Sequence, residues 1–224
     1  MAGRIAFFDV DYTLLTTNSM MLFINYMRRA GEYGLKEIVF GLFYLIQYKL
    51  NLLDIEKATE KASKPYKGMR EERLIELCNR WFEEVVRDYI YPDAIGLIDQ
   101  HRKAGDELCL LTAITNYLAE PLANYLKIEN YCCNRMEVEN GVFTGRMVKP
   151  LCYGKAKLDY AKEFAEQKGV NLADCTYYTD SITDLAVLEG IGYPVATNPD
   201  PLLRREALKR GWRIIDLKKP LSQK

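Results

Sequence analysis

Two hydrophobic patterns alternate along the chain. Short unbroken apolar runs that stop at polar residues read as strands buried on both faces. Residues 4–8 (Arg-Ile-Ala-Phe-Phe) form such a run and end at Asp9; Glu107 to Leu111, Cys175 to Tyr178 and Gly192 to Ala196 form three more. Stretches with helical spacing lie between them, at Pro92–Ala104, Asn116–Leu126, Lys155–Lys168, Thr183–Glu189 and Pro201–Arg210. This alternation predicts an α/β fold with an open parallel sheet covered by helices on both faces. In such sheets a ligand binds beyond the carboxyl ends of the strands. Trp212 to Ile215 adds a candidate edge strand.

Two stretches break the rhythm. Residues 137–147 carry Asn140-Gly141 between alternating positions, which signals a two-residue hairpin. Residues 16–91 carry helical pattern with no strand, too long for an ordinary crossover. They predict an inserted all-helical domain, leaving 1–15 and 92–224 as the core. Internal repeats and low-complexity segments are absent.

Composition narrows the chemistry. Apolar residues make up 49% and charged residues 28% of 224 positions, enough for a sizeable core and outside the disordered class. Lys plus Arg and Asp plus Glu number 31 each, so no global field draws in nucleic acid or an anionic membrane. Acidic residues interrupt the first apolar run within a few positions, unlike a signal peptide. The six cysteines are scattered without a CxxC pair, which reads as reduced thiols in a cytoplasmic protein. His101 is the sole histidine, flanked by Gln100 and Arg102, and reads as a surface residue. A Ser-His-Asp or Cys-His mechanism, or a zinc site with histidine, would have to rest on it. Catalysis is therefore sought among the carboxylates.

Four features fall at the predicted strand ends: Asp9-Val-Asp11 after the first, Thr112-Ala113 after the second, Lys155 opening a later helix, and Asp180-Ser181 with Asp184 after the third. Together they suit phosphoryl transfer. Carboxylates two residues apart can divide the work, one attacking phosphorus and the other handling the proton of the leaving oxygen and of water. A carboxylate approaching a phosphate dianion meets repulsion, so a cation must lie between them. Magnesium takes hard oxygen ligands and keeps several waters, and Asp9, Asp180 and the backbone carbonyl of Asp11 are the candidate donors. Lys155 would add fixed positive charge, and the Thr112 hydroxyl with backbone N–H groups such as that of Ala113 would hold phosphate oxygens. Asp184, one helical turn past Asp180, could orient Lys155 or a metal-bound water, with Ser181 supporting.

In this order the segments DVDYTLL, the strand ending in Thr112, Gly154-Lys155 and TDSITD resemble the four motifs of the haloacid dehalogenase (HAD) superfamily. The layout is similar to its phosphoserine-phosphatase-like subfamily IB. The resemblance implies a Rossmann-like three-layer core with an inserted all-helical, C1-type cap at 16–91. It implies a magnesium-dependent phosphatase with Asp9 as nucleophile, Asp11 as general acid/base, Thr112, Ala113 and Lys155 as phosphate ligands, and Asp9, Asp11 and Asp180 as metal ligands. The alternatives are a phosphotransferase or phosphomutase using the same intermediate, and a non-catalytic phosphate-binding module. Two positions depart from the pattern: Thr179 stands where the fourth motif often has glycine, and Tyr12 follows Asp11 where phosphoserine phosphatases have a small residue.

The implied partner is a small phosphorylated metabolite, and residues 35–53 bear on its nature. Leu35, Ile38, Val39, Leu42, Leu45, Ile46 and Leu53 share a helical stripe, with Phe40, Tyr44 and Tyr48 on the other side. Ile38 to Ile46 is short of the roughly 20 apolar residues of a membrane span. The stretch reads as a cap helix buried on one side, as one whose aromatics face the cleft or a bilayer surface and admit an apolar or lipid-like phosphate ester, or as a subunit contact.

Overall fold

The first strand, β1 (Ile5–Phe8), consists of four apolar residues, all buried, so it must lie inside a sheet covered on both faces. The computed structural model describes residues 3–34, 39, 43, 46, 47 and 54–218. Parallel neighbours flank β1: β2 (Glu107–Thr115) on one side and β6 (Thr176–Thr179) on the other. With β3 (Asn130–Asn134), β7 (Tyr193–Thr197) and β8 (Arg213–Ile215) they form a six-stranded sheet in the order β3-β2-β1-β6-β7-β8. Every pairing within it is parallel.

Side chains alternate across a strand, so β1 feeds two cores. Ala6 and Phe8 enter a cluster with Ala94 and Ile98 of α4 (Pro92–Ala104) and Leu118 and Leu122 of α5 (Asn116–Leu126). Ile5 and Phe7 enter the other, with Ala161 and Phe164 of α6 (Gly154–Gln167), Val187 of α7 (Leu185–Gly190) and Leu203 of α8 (Pro201–Arg210). This is the three-layer α/β core expected from the pattern.

The insert carries α1 (Ser19–Arg29), capped by Asn18, α2 (Ile55–Ser63), capped by Asp54, and α3 (Glu71–Glu84). The predicted hairpin forms from β4 (Met136–Glu139) and β5 (Val142–Met147). Although it belongs by sequence to 92–224, it packs on the insert. Ser63 Oγ donates to the Gly145 carbonyl at 2.9 Å, Phe143 N to the Met69 carbonyl at 3.0 Å and Glu71 N to the Gly141 carbonyl at 2.9 Å.

Two expectations change, and one strand is additional to those expected. β2 does not end at Thr112 but continues to Thr115, with its register to β3 shifting between Leu111 and Thr115. β3 had no clear apolar signal, being short, half-buried along most of its length and ended by asparagines. His101 is mostly buried rather than on the surface: Nδ1 lies 2.6 Å from Asp106 Oδ2 and Nε2 2.7 Å from the Tyr178 hydroxyl. The turn through left-handed Gly105 (φ 77°) brings Asp106 back beside it. Of residues 35–53, only Val39, Phe43, Ile46 and Gln47 are described, and the first three are exposed; the rest of that stripe lies outside the described residues. Among the described residues no helix is long and apolar enough to cross a membrane.

One glycine marks a tight approach. A Cβ at Gly192 would lie 1.8 Å from the Ala173 carbonyl oxygen, beside the hydrogen bond from Gly192 N to the Leu172 carbonyl. Gly192→Ala is expected to cost at least about 1–3 kcal/mol by denaturant unfolding; an unchanged midpoint would contradict this packing.

Candidate active site

The site begins where β1 stops. Asp9 is buried, and its N–H donates to the Tyr178 carbonyl at 2.9 Å, continuing the β1–β6 pairing by one residue. The chain then turns sharply: the N–H groups of Thr13, Leu14 and Leu15 all point to the Val10 carbonyl, at 3.2, 2.9 and 2.9 Å. Tyr12 takes a left-handed φ of 57°, uncommon for a large side chain. Asn198 Nδ2 steadies it by donating to the Tyr12 carbonyl at 3.1 Å.

That turn delivers Asp11 to the start of α1. Its carboxylate accepts from Ser19 N at 2.9 Å and from Asn18 Nδ2 at 2.7 Å. Asn18 also caps α1 through Met21 N at 3.2 Å, so one side chain joins the insert's first helix to the carboxylate. Asp11 keeps an edge open to the cavity, yet desolvation outweighs the Ser19 hydrogen bonds and pushes its pKa up to about 7. A carboxyl so poised can give and take a proton near neutrality.

The cation of the site is Lys157, and here the sequence expectation is corrected. Lys157 Nζ lies 2.9 Å from Asp9 Oδ1 and 2.8 Å from Asp184 Oδ2, with 3% of the residue exposed. Lys155 is exposed on the first turn of α6 and does not line the site. Two positions along a helix is a rotation of about 200°, so the two lysines face opposite ways. Lys157 stands on the buried stripe with Ala161, Phe164 and Ala165. A lysine on the apolar face was the signal available in the sequence.

Around this ammonium the acids compete for charge. Burial works to lower the Lys157 pKa, but the charges of Asp184 and Asp9 together outweigh it and hold the group well above its ordinary value. Burial pushes Asp9 up, with Lys157 opposing and Asp184 adding to the rise. Asp184 Oδ2 also accepts from the Tyr177 hydroxyl at 2.6 Å and Thr179 Oγ1 at 2.7 Å. The threonine that replaces the usual glycine therefore fastens Asp184 rather than crowding the cleft. Asp180 is pushed well up by burial and then by Asp9, Asp184 and Asp11, and its Oδ1 is buried with no hydrogen-bond partner among the described residues.

The remaining expected residues fall around this group. Thr112 is buried, its Oγ1 3.4 Å from Ile114 N. The Ala113 carbonyl accepts from Asn134 Nδ2 at 2.6 Å, while Asn134 Oδ1 accepts from Cys152 N at 2.7 Å. Asn134 thus ties the end of β2 to the segment leading into α6; sequence reading missed it, since a lone asparagine carries no pattern. Ser181 caps the turn Ile182–Asp184. Asp9, Asp11, Thr112, Ala113, Lys157 and Asp184 line one cavity of about 340 Å³.

Buried acids around a fixed ammonium, at the carboxyl ends of parallel strands, suit an anionic ester. The chain belongs to the haloacid dehalogenase-like hydrolase family, whose model matches residues 6–189. It is 31% identical over 217 residues to the phosphoserine phosphatase SerB1 of Mycobacterium tuberculosis, covering 95% of this chain and 70% of that one. A solved structure of a protein of unknown function from Bordetella pertussis superposes with a TM-score of 0.88 at 26% identity, covering 96% of this chain and 99% of that one. A phosphoserine phosphatase solved as a phospho-aspartyl intermediate analogue shares the fold, with a TM-score of 0.71 at 19% identity over 100% of this chain and 97% of that one. The protein is a phosphatase of the phosphoserine-phosphatase-like kind, a phosphoric monoester hydrolase.

Removing one member of a buried ion group leaves the others uncompensated, at roughly 3–5 kcal/mol. Lys157→Met is expected to abolish phosphatase activity and to destabilise the protein on that scale. Lys155→Met should leave both rate and unfolding midpoint near wild type. The reverse pattern would reinstate Lys155.

Proposed function

We propose that the protein hydrolyses a phosphate monoester through an aspartyl phosphate on Asp9, with Asp11 as general acid/base and magnesium as cofactor. The observation that carries this reading is the placement of Asp9 against Lys157, two residues from a carboxyl of pKa about 7.

In the first step an Asp9 carboxylate oxygen forms a bond to phosphorus as the bond from phosphorus to the ester oxygen breaks. Protonated Asp11 gives its proton to the departing alkoxide. In the second step Asp11, now a carboxylate, takes a proton from water as that water's oxygen bonds to phosphorus. The bond between phosphorus and Asp9 breaks, releasing inorganic phosphate and restoring both acids. Lys157 holds Asp9 in place and sets positive charge beside the transferring group. Asp184, with Tyr177 and Thr179 on the same oxygen, holds Lys157 in turn. Thr112 and the backbone N–H of Ala113 are the proposed partners of the phosphate oxygens.

The donor set fits magnesium. Its oxygens are hard, and the partnerless buried Oδ1 of Asp180 sits among negative neighbours that call for a cation. Asp9, Asp180 and the Asp11 carbonyl would hold the ion, which when bound neutralises charge between carboxylate and phosphate.

Asp9→Asn and Asp11→Asn are each expected to lower magnesium-dependent phosphate release from p-nitrophenyl phosphate at least about 10³-fold with the far-ultraviolet dichroism unchanged. Retained activity in either variant would refute the role given to it. Beryllofluoride with magnesium, mimicking phosphate on Asp9, should raise Tm in the wild type and not in Asp9→Asn; a rise in both would place the anion elsewhere.

A further inference from the structure

The cavity that opens on Asp9 has a volume of about 340 Å³, at the lower end of small-molecule sites, which span roughly 300–1,000 Å³. Away from the reacting groups, its described wall is built from apolar side chains, among them Met20, Phe23, Leu74, Trp81 and Met147. Phe23 and Trp81 meet edge to face with centroids 5.0 Å apart, which gives one side a rigid aromatic surface.

Three hydroxyls of that wall are engaged elsewhere, while Trp81 Nε1 is buried with no hydrogen-bond partner among the described residues. The Tyr66 hydroxyl lies 3.2 Å from that of Tyr33, the Tyr117 hydroxyl donates to Glu71 Oε1 at 2.8 Å, and Ser63 Oγ donates to the Gly145 carbonyl at 2.9 Å. Burial pushes the Cys78 thiol up to about 12, so it lines the cavity as a neutral group. Among the described lining residues the charged groups are Asp9, Asp11, Lys157 and Asp184, and the single ammonium is already held by two carboxylates. A carboxylate or ammonium carried on the alcohol part of a substrate would enter without a partner and lose its hydration. An alkyl chain or a ring would meet a matching wall.

We propose that this cavity selects phosphate monoesters of neutral, apolar alcohols, with one short alkyl chain or one aromatic ring, over amino-acid and amino-alcohol phosphates. The inference rests on the hydrolase reading above and names its substrate class. The hydrophobic gain per methylene group sets the size of the effect, on the order of fourfold in affinity for each one buried.

The test compares kcat/KM of the magnesium-loaded protein for methyl, butyl, hexyl and phenyl phosphate with that for O-phosphoserine and L-histidinol phosphate. The expected profile rises on the order of fourfold per methylene until the cavity fills, with the two charged substrates at least about 10²-fold below hexyl phosphate. A flat profile, or a charged substrate equal to hexyl phosphate, would overturn the proposal. Calorimetry with methyl- and hexylphosphonate, which lack the ester bond, reads binding apart from turnover. Tighter hexylphosphonate binding without turnover of any ester would remove the hydrolase reading and retain the selectivity. Equal binding of both phosphonates would remove the selectivity, whatever the turnover. Met20, 39% exposed on the cavity's wall, offers a variant outside the buried core. Met20→Lys should lower the hexyl phosphate to O-phosphoserine ratio at least about tenfold; an unchanged ratio counts against the proposal.

Discussion

An excess of negative charge, sealed at the carboxyl ends of β1 and β6, is the constraint that the rest of the structure answers. Asp9, Asp180 and Asp184 are buried together with Asp11 beside them, and Lys157 is the single ammonium among them. One cation cannot balance four carboxylates in a low-dielectric pocket. The protein answers in two visible ways. Asp11 binds its proton more tightly, up to about 7, and Asp184 spreads its charge over a lysine, a tyrosine and a threonine. Asp180 shares the first remedy, its pKa pushed well up by burial, but its Oδ1 has no hydrogen-bond partner among the described residues. The imbalance is tolerable if a phosphatase must hold a divalent cation and shuttle a proton at one place.

The same charges couple the insert to the core. Asp11 is held by Asn18 and by the backbone of Ser19, which begin α1. A shift of that helix therefore alters the hydrogen bonds that oppose desolvation of Asp11. The hairpin β4–β5 works from the other side. It follows β3 directly in the chain, yet its backbone is bonded to the segment between α2 and α3. The insert is thus tied to the core through Asp11 and to the hairpin through Gly141, Phe143 and Gly145.

Much of this was legible in the chain, and the failures have physical reasons. Pro92 with Gly105 and Pro201 with Gly211 bound α4 and α8, because proline suits a first helical position and glycine accepts the left-handed cap. β1 was visible because a central strand needs apolar residues on both faces. β3 was not, because an edge strand half-buried over its first three residues and ended by asparagines carries little periodicity. The lysine was misassigned for a different reason. Motif position favoured Lys155, whereas the helical period places Lys157 with Ala161, Phe164 and Ala165, and burial follows the period.

The two ends of the cavity make opposite demands, and their conflict shapes the wall. Carboxylate attack on a phosphate ester gains from low dielectric, which strengthens the hold of Lys157 on Asp9 and on developing charge. Low dielectric also makes an unpaired polar wall atom costly. Tyr66, Tyr117 and Ser63 avoid that cost by bonding to Tyr33, Glu71 and Gly145, whereas Trp81 Nε1 bears it. Their hydroxyls are thereby unavailable as the fixed polar anchors that usually orient a small ligand. Orientation must then come from the phosphate end, where the charges are concentrated, and discrimination from shape and apolar contact at the other. A site organised in this way recognises the reacting group by electrostatics and the alcohol by what it lacks.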